Sequence, residues 1–217
     1  MAESYRGSSN NVQMFAYCSM WLGINLDFQI LCYTRHMASN NTYIALLRGI
    51  NVGGNNIIKM TELKAFFEAM GFTNVVTYIQ SGNVVFRALR QEEDLALYIE
   101  NSLKEILKKD IKVVVVSSLE MRNIVDNAPL GFGKEPEKYR SDVLFLKPPL
   151  TTAEALLQIP VKEGVDTITE GKGVVYYTRL MSKATESKLS RLITLPLYKD
   201  MTIRNWNTTV KLATLSA

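Results

Sequence analysis

Two sets of strand-like and helix-like segments follow one another in the same order, and that repetition constrains the fold more than any single motif. Strand-like runs begin at positions 43, 75, 84 and 112 and again at 142, 165, 174 and 201. The differences between corresponding members are 99, 90, 90 and 89 residues. Equal order and near-equal spacing predict two βαββαβ halves built on one plan, although no residue-by-residue identity links them.

The individual segments carry the expected signals. Thr42–Arg48 (TYIALLR) is a short apolar run suited to a buried strand. Thr61 is a candidate N-cap for a helix whose apolar residues are Leu63, Phe66, Phe67 and Met70, and Gly71 closes it. Val75–Gln80 and Val84–Phe86 flank Ser81-Gly82-Asn83 as a hairpin. An amphipathic helix runs from Leu95 to Leu107, and Lys112–Val116 is the next strand. Ser117 with Glu120, and Thr151 with Glu154, have the spacing of capping boxes. Between them lie a loop, Asn127–Tyr139, and a strand, Asp142–Leu146. The second half continues with a hairpin around Glu170–Gly173, a helix over Ser182–Leu192, a strand at Met201–Arg204 and a closing helix, Asn205–Leu215. The expected class is α+β: two ferredoxin-like halves in tandem, residues 39–116 and 117–217, plus a C-terminal helix.

The distribution of Cys and His excludes much chemistry. Cys18, Cys32 and His36, the full complement of both types, all precede Met37. From Met37 onward there is no thiol nucleophile, no His base, no disulfide and no His- or Cys-based zinc site. No metal site is assigned and no motif names a cofactor. Residues 1–38 read as an irregular extension outside the fold, with Met37 as an alternative start. Glu3 beside Arg6, and no small-residue cleavage pattern, argue against a secretion signal. No run approaches the roughly 18 apolar residues of a membrane span, and a cytoplasmic location is expected.

Three stretches are candidates for function. In Gly49–Asn56 (GINVGGNN), the glycines Gly49, Gly53 and Gly54 allow backbone amides to converge on an anion, and Arg48 and Lys59 bracket the loop with positive charge. Asn51 adds a side-chain amide. Gly49 and Gly54 have the spacing of a phosphate loop, but Asn55-Asn56 stand where Lys-Ser/Thr is required. The second stretch displays Gln80, Ser81 and Asn83 at a hairpin tip. In the third, Arg204 ends a strand, Asn205 caps a helix and Trp206 opens it, an arrangement able to hold an anion or stack a base.

LLRGINVGG, the Gly71-Phe72 that follows, VTYIQSGNVVF and the late TIRNWN resemble the mostly bacterial family known as domain of unknown function 1697. The resemblance covers about Asn41 to Leu215 and implies an α+β fold with two ferredoxin-like halves. The family has no established activity, so the resemblance implies no catalytic residue; its motifs fall on Arg48, Gly49, Asn51, Gly53, Gly54, Gln80, Ser81, Gly82, Asn83, Arg204, Asn205 and Trp206.

The leading expectation is a binding protein that gathers these three stretches around a polar or anionic small molecule. One alternative is nucleic-acid binding on basic ferredoxin-like sheets, given the net charge of +4, the pI near 9.0 and the adjacent Tyr176 and Tyr177. Another is an enzyme built on Lys59 or Ser81. The oligomeric state is left open.

Overall fold

The computed structural model describes residues 41–52, 57–89 and 92–217, without the side chains of residues 92–94. The expected N-terminal extension lies outside the described residues, as do Gly53 and Gly54.

The first half places β1 (Asn41–Leu47), α1 (Met60–Ala69), β2 (Thr73–Tyr78), β3 (Asn83–Ala88), α2 (Glu92–Leu107) and β4 (Val113–Ser117) in the expected order. A connecting helix, α3 (Ser118–Asp126), leads to β5 (Tyr139–Leu146), α4 (Thr152–Gln158), β6 (Asp166–Gly171) and β7 (Val174–Leu180). After a series of short turns come α5 (Leu189–Leu192), β8 (Met201–Asn205) and α6 (Trp206–Leu215).

These strands form two four-stranded antiparallel sheets, ordered β2-β3-β1-β4 and β6-β7-β5-β8. Alternation along each strand sorts the apolar side chains onto two faces. From β1, Tyr43, Ala45 and Leu47 meet α1 and α2, while Ile44 and Leu46 face the second sheet. The inner faces of both sheets enclose one core with Met121 and Ile124 of α3 and Leu212 of α6. The outer face of the second sheet packs Leu144, Val175 and Tyr177 on Ala155, Leu192 and Leu197. Each sheet is therefore covered on both faces, which explains why its strands read as nearly unbroken apolar runs.

Local signals held where a side chain satisfies a helix end directly. Both capping boxes form: Ser117 Oγ accepts from the Glu120 amide at 3.3 Å, and Glu154 Oε2 accepts from the Thr151 amide at 2.9 Å. Asn205 Oδ1 accepts from the Thr208 amide at 2.8 Å and caps α6. Two expectations are corrected. Thr61 lies inside α1, which starts one residue earlier with Lys59 at its cap position and no side-chain cap. The helix expected over Ser182–Leu192 is instead a 3₁₀ segment (Met181–Glu186), the four-residue α5, and a further 3₁₀ segment (Pro196–Asp200). The backbone leaves helical geometry at Lys183, and the Lys188 amide donates to Asp166 Oδ2 at 2.8 Å instead of to a preceding carbonyl. Ser182, Thr185 and Ser187 are short polar residues that compete with helical hydrogen bonds.

Candidate functional site

Arg204 joins the third stretch to the β2–β3 hairpin at the edge of the inter-sheet core, and Asn51 ties the Gly/Asn loop to the same hairpin. On β8 it pairs in register with Val143, so its side chain points toward the first sheet. Its Nε donates to Asn83 Oδ1. One terminal nitrogen donates to the carbonyls of Leu47 (2.8 Å), Ser81 (3.0 Å) and Gly82 (3.3 Å), and the other to Thr202 Oγ1 and the Ile203 carbonyl, both at 2.8 Å. Five acceptors besides Asn83 thus surround one guanidinium, and no carboxylate does among the described residues. Burial lowers its pKa to about 10, against a smaller raising effect of Tyr198, and leaves the group charged at neutral pH.

Asn83 is fully buried and directs the hairpin inward. Its Nδ2 donates to the Tyr78 carbonyl and to Ser81 Oγ, each at 3.0 Å. Gly82 makes the close approach possible: its φ is +74°, and a Cβ there would lie 2.6 Å from Ile50 and 2.9 Å from Leu47. Only glycine fits both constraints. At the same tip Ile79, a β-branched residue, is held at φ +48° and is half exposed, a conformation that carries strain. Gln80 is exposed at the tip.

Asn51 clasps the ends of the Gly/Asn loop. Its Oδ1 accepts from the Ile58 amide at 2.8 Å, while Nδ2 donates to the Ile58 carbonyl at 3.0 Å and to the Gln80 carbonyl at 2.9 Å. The loop is therefore fastened both to itself and to the β2–β3 hairpin. Gly49 is exposed at its start with φ +67°.

Arg48 is arranged differently from Arg204. Its guanidinium carbon lies 4.4 Å from the centre of the Tyr198 ring, a cation–π contact between the halves. Its Nε is buried without a hydrogen-bond partner, and no carboxylate pairs with it among the described residues. Tyr198, which faces Arg48, also acts electrostatically on Arg204, and neither arginine has an acidic partner among the described residues. Nothing in the local sequence LPLYKD marks this tyrosine, because Arg48, the cation it faces, comes from a distant part of the chain.

The remaining candidates divide clearly. Lys59 is largely exposed and reaches Glu62 at 3.9 Å. Ser81 Oγ accepts from Asn83, and no contact joins it to Lys59 among the described residues. Trp206 belongs to the core edge, edge-on to Phe132 with ring centres 5.0 Å apart, where Gly133 leaves it room: a Cβ at Gly133 would come within 1.9 Å of the indole. The two adjacent tyrosines are not displayed on a sheet face. Tyr176 and Tyr177 are both buried, and Tyr176 donates its hydroxyl hydrogen to the Ile124 carbonyl at 2.7 Å, so neither ring can stack a base.

A second polar cluster escaped the sequence reading. Asp166, Tyr177 and Arg179 share the outer face of the second sheet at one end, near Ser187. Burial pushes the Asp166 carboxyl up, but the Lys188 amide, Ser187 and the Lys162 amide more than offset it and hold the group below its ordinary value. Burial raises the Tyr177 hydroxyl strongly. Asp142, on the same face, is raised by burial despite hydrogen bonds from Arg140 Nε at 3.0 and 3.2 Å.

The family model described as "Protein of unknown function (DUF1697)" matches residues 40–176, more than half of the chain. The chain belongs to the DUF1697 family. This match contains the Gly/Asn loop and the β2–β3 hairpin, while Arg204 and Tyr198 lie beyond it. Among solved structures, a conserved bacterial protein from Streptococcus pneumoniae is similar, with a TM-score of 0.73 and 23% identity over 82% of this chain and 100% of that one. That likeness shows a shared fold over most of this chain. No curated protein matches. No helix among the described residues is long and apolar enough to cross a membrane.

Proposed function

We propose that this DUF1697 protein binds a small anion where Arg48 meets Tyr198, beside the loop that Asn51 clasps. The observation that carries the reading is Arg48, whose guanidinium lies over the Tyr198 ring with its Nε buried and unbonded and no carboxylate beside it among the described residues. A cation withdrawn from water without a partner is costly, and an anion supplies the missing partner. Arg204 is already saturated by protein acceptors, so its role is to hold β8 against the end of β1 and the β2–β3 hairpin and to add charge. Arg48 retains an unused Nε–H and is the group that meets the ligand. Tyr198 fixes the plane of that guanidinium, which favours a carboxylate or phosphate able to accept two parallel hydrogen bonds.

The ligand is bound without turnover, since the described body offers neither His nor Cys and no base adjoins Ser81. Each half is ferredoxin-like, a reading supported by the βαββαβ element order of the first half and by the strand order 4-1-3-2 of both sheets. A thermal-shift series on the full chain tests the binding reading, using inorganic phosphate, citrate, nucleoside monophosphates and sugar phosphates. Stabilisation by at least one of these, abolished in Arg48→Ala, is expected. Equal shifts in wild type and Arg48→Ala would refute the site.

A further inference from the structure

Among the described residues the first sheet ends at β4, which pairs there only with β1. The Arg48 amide donates to the Lys112 carbonyl at 2.9 Å, and this sets the phase of the ladder. Lys112, Val114 and Val116 direct their backbone groups toward β1, whereas Val113, Val115 and Ser117 direct theirs outward.

Two of the three outward amides are occupied by carboxylates. The Val113 N–H donates to Glu100 Oε1 at 2.7 Å, and the Ser117 N–H donates to Glu120 Oε2 at 3.2 Å. The middle amide, that of Val115, has no partner among the described residues. A cleft of about 570 Å³ runs along this edge. Leu97 of α2 and Ile124 of α3 line it, with Phe145 and Val174 of the second sheet. Leu97 is apolar yet 61% exposed. Lys147 and Lys172 line the same cleft; Glu100 pairs with Lys147, while Lys172 has no ion pair among the described residues.

We propose that β4 is the docking edge for an extended peptide segment of a partner protein, added antiparallel as a fifth strand. Edge addition draws affinity from main-chain hydrogen bonds and specificity from alternate side chains. Here the free amide and carbonyl of Val115 fix the register, and the carboxylates at either end limit the paired stretch to a few residues. The cleft is walled by α2 on one side and the β6–β7 turn on the other, so it admits a single strand better than the edge of a second sheet. The Val113 end carries the lysines, since Glu100 bonds both the Val113 amide and Lys147. An antiparallel segment therefore brings its C-terminal end to Lys172, and an acidic residue or a terminal carboxylate there complements the charge.

The test uses fluorescence anisotropy with a labelled heptapeptide of alternating threonine and valine ending in two aspartates. Val115→Pro removes the outward N–H without breaking a bond to β1, as is tolerated on an edge strand. A peptide N-methylated at its central residue probes the same hydrogen bonds without altering the protein. Binding to the full chain is expected to weaken at least tenfold with Val115→Pro and with the methylated peptide. Lys172→Glu, or lysines in place of the aspartates, is expected to weaken it severalfold. Unchanged affinity in Val115→Pro and Lys172→Glu, or no binding of the parent peptide at millimolar concentration, would overturn the proposal. Concentration-dependent self-association abolished by Val115→Pro would also overturn it, by assigning the edge to a second copy.

Discussion

Arg204 and Asn83 are 121 residues apart in the chain and are joined by a direct hydrogen bond from Nε to Oδ1 in the buried layer between the two sheets. Through it β8 of the second half holds the β2–β3 hairpin of the first. Removing Arg204 takes a donor from the carbonyls of Leu47, Ser81, Gly82 and Ile203, from the Thr202 hydroxyl and from Asn83 Oδ1, and of these carbonyls Gly82 keeps the Leu47 amide. Arg204→Met is expected to cost more than about 3 kcal/mol, since each buried acceptor left unsatisfied costs about 1–3 kcal/mol. Arg204→Lys should rescue little of that, because an ammonium cannot reproduce the planar fork. Urea unfolding of the two variants measures both values. A loss below about 1 kcal/mol, typical of one ordinary hydrogen bond, would contradict the clamp.

The positive φ of Ile79 predicts an unusual gain. A left-handed conformation costs a residue with Cβ about 1–2 kcal/mol, and asparagine tolerates it better. Ile79→Asn should raise the unfolding free energy by about 1 kcal/mol despite replacing an apolar residue, since the side chain is half exposed. Thermal denaturation would show this as a higher Tm; a lower Tm would mean that the isoleucine contributes more by packing than its backbone loses.

Gly133 is predicted to be irreplaceable for a different reason. Alanine there would place its Cβ 1.9 Å from Trp206 at a φ of +74°. Overpacking of this kind costs about 1–3 kcal/mol and displaces the larger neighbour. Near-ultraviolet circular dichroism and tryptophan emission of Gly133→Ala should both change, whereas Gly164→Ala, with open space around its Cβ position, should leave the tryptophan signals as they are.

Asp166 supplies the pH dependence. Its folded-state value lies below the ordinary 3.8, so its ionised form is stabilised by folding. That contribution is complete above about pH 4 and is lost as the pH falls through the lowered folded value. Asp166→Asn is therefore expected to be less stable than wild type at neutral pH, by about 1–3 kcal/mol for a buried group whose hydrogen bonds weaken. The gap should close on acidification. Denaturant midpoints measured from pH 7 to pH 2 would test this, and a gap that widened in acid would reverse the sign assigned to Asp166.

The fold was readable where the determining interactions are short-range. Ser117 with Glu120, Thr151 with Glu154, and Asn205 with Thr208 each act within three residues, and all three form. The strand runs of β1, β3, β4 and β5 were legible because burial on both faces leaves them almost wholly apolar. The stretch from Ser182 to Leu192 misled because its helical spacing competes with a carboxylate, Asp166, that arrives from another strand. The candidate site was legible in its parts only. Gly82 and Asn83 announce a turn, yet nothing local shows that Asn83 is buried under Arg204. Tyr198 and Arg48 are 150 positions apart by their numbers, so their contact follows from the packing of two halves and not from any motif.

The most direct test of the central claim is the ¹⁵N–¹H signal of the Arg48 Nε–H in the full chain, identified by its absence in Arg48→Lys. On titration with the anion that stabilises the protein most, this resonance should shift and exchange more slowly with water, while that of the protein-bonded Arg204 Nε–H stays in place. An Arg48 signal that no anion moves, in a protein that remains folded, would contradict the assignment of the site.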